Sequence, residues 1–167
     1  SYGTALMANL DLMDPRAITF DPSLSPVPKG FVVSTVSWPG NSRVEVDIVS
    51  VHLDFASENI RKRQAAELIE TLRQRRRPVI IMGDFNTGWE ENSTVQHISE
   101  ALGLTAFSPE QAGLETFPAF GERLDWIMVS PELSFRSYHV LPDPVSDHRS
   151  VIAEVVLNDT ASATRLD

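Results

Sequence analysis

At 167 residues, 42% hydrophobic and 22% charged, the chain has the make-up of one globular domain with a sizeable core. Its formal net charge of −9 argues against a broad face for duplex nucleic acid, because nonspecific affinity of that kind comes from Lys and Arg meeting phosphates. The absence of cysteine excludes a disulfide framework, a thiolate metal site and a thiol nucleophile, and no stretch approaches the roughly 18 uninterrupted apolar residues of a transmembrane helix. A soluble chain is expected, with the compartment, cytoplasmic or secreted/periplasmic, left open.

In chain order, residues 14–30 carry Pro15, Pro22, Pro26, Pro28 and Gly30, which disfavour helix and central strand and predict a surface loop. Phe31–Trp38 and Val44–Leu53 read as two strands of a hairpin turned by Pro39-Gly40-Asn41-Ser42. In the second, Val44, Val46, Ile48, Ser50 and His52 share one face; Glu45, Asp47, Val49, Val51 and Leu53 share the other. Ser57 is positioned to cap a helix that Pro78 ends, with Ile60, Ala65, Leu68, Ile69 and Leu72 as its apolar stripe. Seven of the 14 basic residues lie between Arg61 and Arg77 and read as the solvated face of that helix. Strand, helix and the strand Val79–Gly83 suit a crossover, which makes Val44–Leu53 and Val79–Gly83 parallel neighbours. A short helix is predicted over Ser93–Leu102. The loop-rich stretch 103–123 is where substrate selectivity is expected. Three short strands follow, Leu124–Val129, Ser134–Leu141 and Arg149–Leu157, and then a polar tail over 158–167.

The chemistry concentrates where apolar strands end. Val79-Ile80-Ile81-Met82-Gly83 opens onto Asp84 and Asn86, His52 closes its own strand, Asp125 interrupts Leu124–Val129, and Asp147-His148 precede Arg149–Val156. Asp84 and Asp147 are carboxylates of the kind a hard cation such as Mg²⁺ takes while keeping positions open for phosphate and water. An imidazole working on a phosphoester needs a carboxylate at its other nitrogen, and Asp125 is the partner read for His148. Asp125 shares a strand face with Ile127 and Val129, where an unpaired charge is costly. Asn86 is a neutral donor for nonbridging oxygens. His97 and His139 read as structural. Trp89 reads either as a wall of the pocket or as aromatic packing, and Arg149 either as a strand residue or as a phosphate contact.

Val51-His52-Leu53-Asp54, then Arg61 and Gln64, Gly83-Asp84-Phe85-Asn86, Leu124-Asp125-Trp126-Ile127 and Ser146-Asp147-His148-Arg149 together resemble the motifs of the endonuclease/exonuclease/phosphatase superfamily, the DNase I-like fold, over roughly residues 44–157. The resemblance implies an α/β (α+β) fold, a two-sheet sandwich flanked by helices. It also implies a Mg²⁺- or Mn²⁺-dependent phosphoesterase in which water attacks phosphorus in line. Carried over by motif, Asp84 positions or activates the nucleophile, Asn86 contacts phosphate, Asp147 and Asp84 hold the metal, His148 is the imidazole oriented by Asp125, and His52 is a second phosphate-facing histidine. The implied partner is a phosphoester: a small phosphorylated molecule, a lipid headgroup or nucleic acid.

Family members begin with a segment carrying a strand-end Asn and a metal-binding glutamate, and neither precedes Tyr2-Gly3-Thr4-Ala5-Leu6-Met7, which resembles the middle of the fold. The expectation is a domain over 1–157 that lacks its N-terminal strands. Its open sheet edge would then be covered by a missing N-terminal fragment or a partner chain. The alternative function is a catalytically incomplete or degenerate member serving as a binding or structural module. A serine acyl hydrolase finds no support, since no Gly-x-Ser-x-Gly elbow occurs.

Overall fold

Pro39 and Gly40 alone make the first turn: Gly40 adopts φ 80°, the second central position of a type II turn after proline, and Trp38 pairs directly with Asn41. The flanking strands, β2 (Gly30–Trp38) and β3 (Asn41–His52), are therefore longer than their apolar runs. In this computed structural model, which describes residues 3–23, 27–144 and 146–159, they form the middle of a six-stranded sheet.

The segment expected as a loop from residue 14 contains a strand, β1 (Met13–Thr19), antiparallel to β2. Proline is tolerated because β1 is an edge strand and its register shifts between Met13 and Arg16, around Asp14 (φ 45°) and Pro15. Residues 24–26 lie outside the described residues, as do 1–2 and, of the expected polar tail, 160–167.

After β3 the chain enters α1 (Glu58–Arg75) and returns as β4 (Val79–Asp84), parallel to β3 as the crossover spacing predicts. The helix lays Ala65, Leu68, Ile69 and Leu72 on Val33, Val49, Val51 and Ile81. Its last turn departs from the solvated face read from sequence: the Arg75 side chain is 6% exposed and grips Asp47, which is 1% exposed, through Nε–Oδ2 (2.7 Å) and Nη2–Oδ1 (3.0 Å). Thr35 Oγ1 donates to Asp47 and accepts from Arg75, and Asp14 closes the group from β1. Breaking such a pair would leave a buried charge alone. The short helix α2 (Thr94–Leu102) is capped by Ser93 at one end and Gly103 at the other.

β5 (Thr105–Ala106) and β6 (Asp125–Val129) complete the sheet in the order β1-β2-β3-β4-β6-β5. The two-residue β5 lies inside the stretch read as loop. β7 (Leu133–Pro144) and β8 (Arg149–Leu157) form a separate antiparallel ribbon, β7 extending beyond its predicted eight residues to 12. The ribbon covers the sheet face opposite the helices, packing Leu133, Phe135, Val155 and Leu157 against Val36, Val46, Ile48, Ile80 and Val129. Among the described residues no further strand joins the ribbon.

The β3–α1 corner is tied by Asp54. Ser57 occupies the N-cap position, yet its side chain makes no capping bond. Instead the Asp54 carboxylate accepts the N–H groups of Ala56 (2.9 Å) and Ser57 (3.0 Å) and the hydroxyl of Ser23 (2.6 Å). Its own N–H donates to Gln64 Oε1 at 2.8 Å. Burial alone would raise the pKa of Asp54, but these bonds and the Lys29 cation outweigh it and hold the carboxyl below its usual value of 3.8. Asp54→Ala should lower the thermal midpoint by roughly 4–8 °C, the shift about 2 kcal/mol of charge-assisted hydrogen bonding makes in a domain of this size. A depressed folded pKa means this stabilisation is complete above the unfolded value and vanishes as pH falls through the folded one. Calorimetric midpoints of the two proteins should therefore stay a constant distance apart from about pH 7 to about pH 5 and converge in stronger acid; a gap that persists there would show that the carboxylate's charge is not what ties the corner.

Candidate active site

Register brings the predicted residues together. β3 pairs His52 with Asp84 and β6 pairs Asp125 with the same Asp84, so the three stand in a row across one end of the sheet. Strand alternation turns all three toward the ribbon side, the face of Ile48, Ile80, Met82 and Ile127. His148, in the β7–β8 connection, reaches the row from above: its Nδ1 donates to Asp125 Oδ2 at 2.6 Å. Ligand atoms of Asp84, Asp125 and His148 all lie within 4.8 Å of one another.

The row opens into a cavity of about 810 Å³ that also exposes Lys29, Phe55, Asn86, Phe117, Phe120, Glu122, Ser146 and Asp147. Every residue picked from sequence for the site, His52, Asp84, Asn86, Asp125, Asp147 and His148, lines it. Asp147 lies outside the tight Asp84–Asp125–His148 group and is exposed. Trp89 packs on Trp126 in the core, 5.5 Å between ring centroids, and Arg149 donates to the Glu115 carbonyl; neither lines the cavity.

Opposed carboxylates and shared burial set the electrostatics. Burial first, and then the Asp125 charge, push the Asp84 carboxyl up to about 6, against the Asn86 N–H bond and the cations around it. Asp84 is held from two sides: the Asn86 N–H donates to Oδ1 at 2.9 Å, while the Asn86 amide donates to Oδ2 at 3.2 Å and to the Leu53 carbonyl at 2.9 Å. Asn86 takes φ 51° to do this, and both of its amide hydrogens are committed to the chain itself. For His148 burial opposes protonation, but the Asp125 hydrogen bond and the charges of Asp125, Asp84 and Asp147 outweigh it and raise the pKa. His52 goes the other way: burial, then Lys29 and His148, lower it to about 4, so its ring is neutral near pH 7.

Two residues that sequence reading passed over complete the geometry. Lys29, 7% exposed, donates from Nζ to His52 Nε2 and is the buried cation of the cavity; its only sequence signal is a lone lysine before an apolar strand. Burial lowers its pKa against the pull of Asp84 and Asp54. Thr116, fully buried, accepts the N–H groups of both Leu124 and Asp125 on its Oγ1 (3.0 Å each), and its carbonyl accepts the Arg149 N–H at 2.8 Å. One threonine thus joins the start of β6 to the start of β8, and so Asp125 to the neighbour of His148. Lys29→Met should raise the His52 pKa above about 4, because a lysine cation disfavours a second positive charge beside it. Imidazole carbon shifts followed by NMR across pH measure this; a His52 titration that does not move would remove Lys29 from the electrostatics of the row.

Solved structures share this architecture. A mannosyl-6-phosphatase from Bacteroides thetaiotaomicron VPI-5482 superposes with a TM-score of 0.75 at 20% identity, covering 89% of this chain and 67% of its own. The human Nocturnin catalytic domain with bound sulfate anion gives 0.72 at 21% identity, covering 89% of this chain and 60% of its own. D. rerio TDP2 complexed with single strand DNA product gives 0.68 at 13% identity, with 88% and 68% covered. The chain thus spans 60% to 68% of the length of these three. Among curated proteins none matches. The profile of the Endonuclease/Exonuclease/phosphatase family aligns with residues 1–148, a stretch that contains every side chain of the row, and on that match the chain belongs to this family.

Proposed function

We propose that the cavity is the site of a divalent-metal-dependent phosphoester hydrolase. The observation that carries this is the pairing of Asp84 directly across from Asp125, with His148 against both. Two carboxylates in opposed cross-strand positions repel, and a buried site that keeps both is suited to a cation between them. The donor set, carboxylate oxygens with one imidazole nearby and room left open, fits Mg²⁺ or Mn²⁺. Asp84 and Asp125 would hold the ion, with Asp147 at the exposed side of the same cavity. When bound, it supplies positive charge against the phosphoryl oxygens and lowers the proton affinity of water.

The residues of the chain account for the rest of the reaction. Asp84, braced by Asn86, orients the attacking water and takes its proton as the new P–O bond forms. His148, held at Nδ1 by Asp125 and carrying a proton on each ring nitrogen, donates from Nε2 to a nonbridging oxygen as charge builds on the phosphoryl group. His52 and Lys29 hold the opposite side, the lysine offering a buried cation to the same oxyanion. The ester P–O bond breaks opposite the entering water, and the departing alkoxide takes a proton from solvent in the open cavity. Phosphorylated substrates suit this reading: among the fold relatives one is a mannosyl-6-phosphatase, one holds sulfate and one holds a single strand DNA product.

Release of nitrophenol from bis-(p-nitrophenyl) phosphate and p-nitrophenyl phosphate tests the proposal. Hydrolysis of at least one is expected to need Mg²⁺ or Mn²⁺, to stop with chelator and to return with excess metal. Asp84→Ala and His148→Ala should each cost about 10²–10⁴ in kcat. Either variant at the wild-type rate would overturn the assignment. Stoichiometric Mn²⁺ binding without hydrolysis of any phosphoester would favour a binding module instead.

A further inference from the structure

Residues 125–127 of β6 have a strand on one side only. β4 pairs with them, but on the outer side the ladder to β5 consists of Thr105↔Val129 and Ala106↔Met128 and stops there. Asp125 therefore faces the repelling Asp84 with no strand behind it. Arg123 takes up the place where that strand would continue: its Nη1 donates to the carbonyls of Phe107 (3.0 Å) and Ser108 (3.2 Å), the two residues that follow β5. Its guanidinium carbon lies 3.9 Å from the ring centroid of Trp126 and 4.9 Å from that of Tyr138 in β7, and the residue is 9% exposed. Phe107 in turn stacks on Tyr138 at 4.8 Å with planes 1° apart. On the helix side the Trp126 indole donates to the Thr87 carbonyl at 3.1 Å, next to the Asn86 that braces Asp84. One buried cation thus touches β6, the ribbon and the segment after β5.

We infer that Arg123 is a positioning residue for the reaction, the brace that keeps Asp125 against Asp84 and so aims His148 at the phosphoryl group; this rests on the hydrolase reading of the same site. Like charges in cross-strand positions push their strands apart, which drives β6 toward its unpaired side. Arg123 carries that load into the chain after β5. Thr116 serves the same side through the N–H groups of Leu124 and Asp125, but a hydroxyl holds the backbone at one point and leaves β6 free to twist about it. The guanidinium removes that freedom, because it fixes the ring of Trp126 as well. Through the Trp126 bond to Thr87 the same brace reaches the loop that orients Asp84. An apolar side chain would fill this space without the cost of burying a charge. Only a planar cation offers two faces to rings and edge N–H groups to carbonyls at once, and this is what the position uses.

Arg123→Met fills the space between the rings with neither charge nor donor. With Mn²⁺ and a p-nitrophenyl phosphoester its kcat is expected to fall about 10- to 100-fold at unchanged KM, as for a reacting group displaced by about 1 Å. The second readout needs no turnover. In the metal-free protein the far-downfield NMR resonance of the His148 Nδ1 proton, which a carboxylate at 2.6 Å produces, should move upfield or exchange away in Arg123→Met. Arg123→Lys returns a cation between the rings and a donor for one carbonyl, and should recover part of both losses. Tyr138→Leu removes one ring and should shift the resonance in the same direction; if Arg123→Met does not fold, an unmoved resonance in Tyr138→Leu overturns the brace. A folded Arg123→Met with wild-type kcat and resonance overturns it as well. So does a lost kcat with an unmoved resonance, since Arg123 would then not act through Asp125. A resonance that moves in Arg123→Met, in a protein that hydrolyses no phosphoester, sustains the brace and overturns the hydrolase reading.

Discussion

Everything at the site depends on holding Asp84 directly opposite Asp125 although the two carboxylates repel, and the register that forces this is clamped at both ends of β4. At the far end the Val79 N–H donates to the Ser130 hydroxyl at 2.6 Å and the Ser130 N–H to the Val79 carbonyl at 3.0 Å. At the near end the Phe85 N–H donates to the Leu124 carbonyl at 2.9 Å, and Thr116 gathers the next two N–H groups. Gly83 sets the third constraint. It takes φ 146°, and a side chain there would bring its first carbon within 1.9 Å of the Val51 carbonyl oxygen, so only glycine lets β4 approach β3 at the residue before Asp84. A one-residue slip would turn Asp84 into the helix-side core and break all three, which is why the repulsion is borne rather than relaxed.

The same sheet that builds the site is oriented from its other end by a pair of opposite charges. Arg75 and Asp47 lie on the helix side, remote from the cavity, and connect the last turn of α1 to β3 and, through Asp14, to β1. A purely apolar contact between α1 and the sheet could slide; a bidentate guanidinium–carboxylate contact has one geometry. The pair adds direction to an interface whose free energy comes from Leu68, Ile69 and Leu72.

Much of this was legible because polar residues interrupting apolar strands are conspicuous. His52, Asp84, Asp125 and His148 each stand where a strand of Val and Ile ends or begins, and the crossover around α1 follows from spacing alone. What stayed hidden depends on pairing, which a linear pattern does not carry. Lys29 sits in a proline-rich stretch and becomes a site residue only because Gly30 pairs with His52. In the sequence Arg75 is one cation among seven, and only the fold turns Asp47 toward it. Thr116 had no pattern at all, since a hydroxyl that accepts two backbone N–H groups looks like any threonine in a loop. β1 was missed because a proline that excludes a central strand does not exclude a bulged edge.

The two histidines show how environment rather than residue type assigns roles. Both stand at the ends of one row and both are partly buried, which by itself lowers the proton affinity of an imidazole. Asp125, Asp84 and Asp147 around His148 outweigh that burial and raise its proton affinity; Lys29 at the ring nitrogen of His52 lowers that of His52 further. Asp84, between them, therefore meets positive charge from both sides, from Lys29 across His52 and from His148 across Asp125. Both cations pull the Asp84 pKa down, but burial and the charge of Asp125 opposite outweigh them. The remaining negative charge lies between the two aspartates, on the side that opens to the cavity, and that is where the proposed divalent ion and the phosphoryl oxygens would sit.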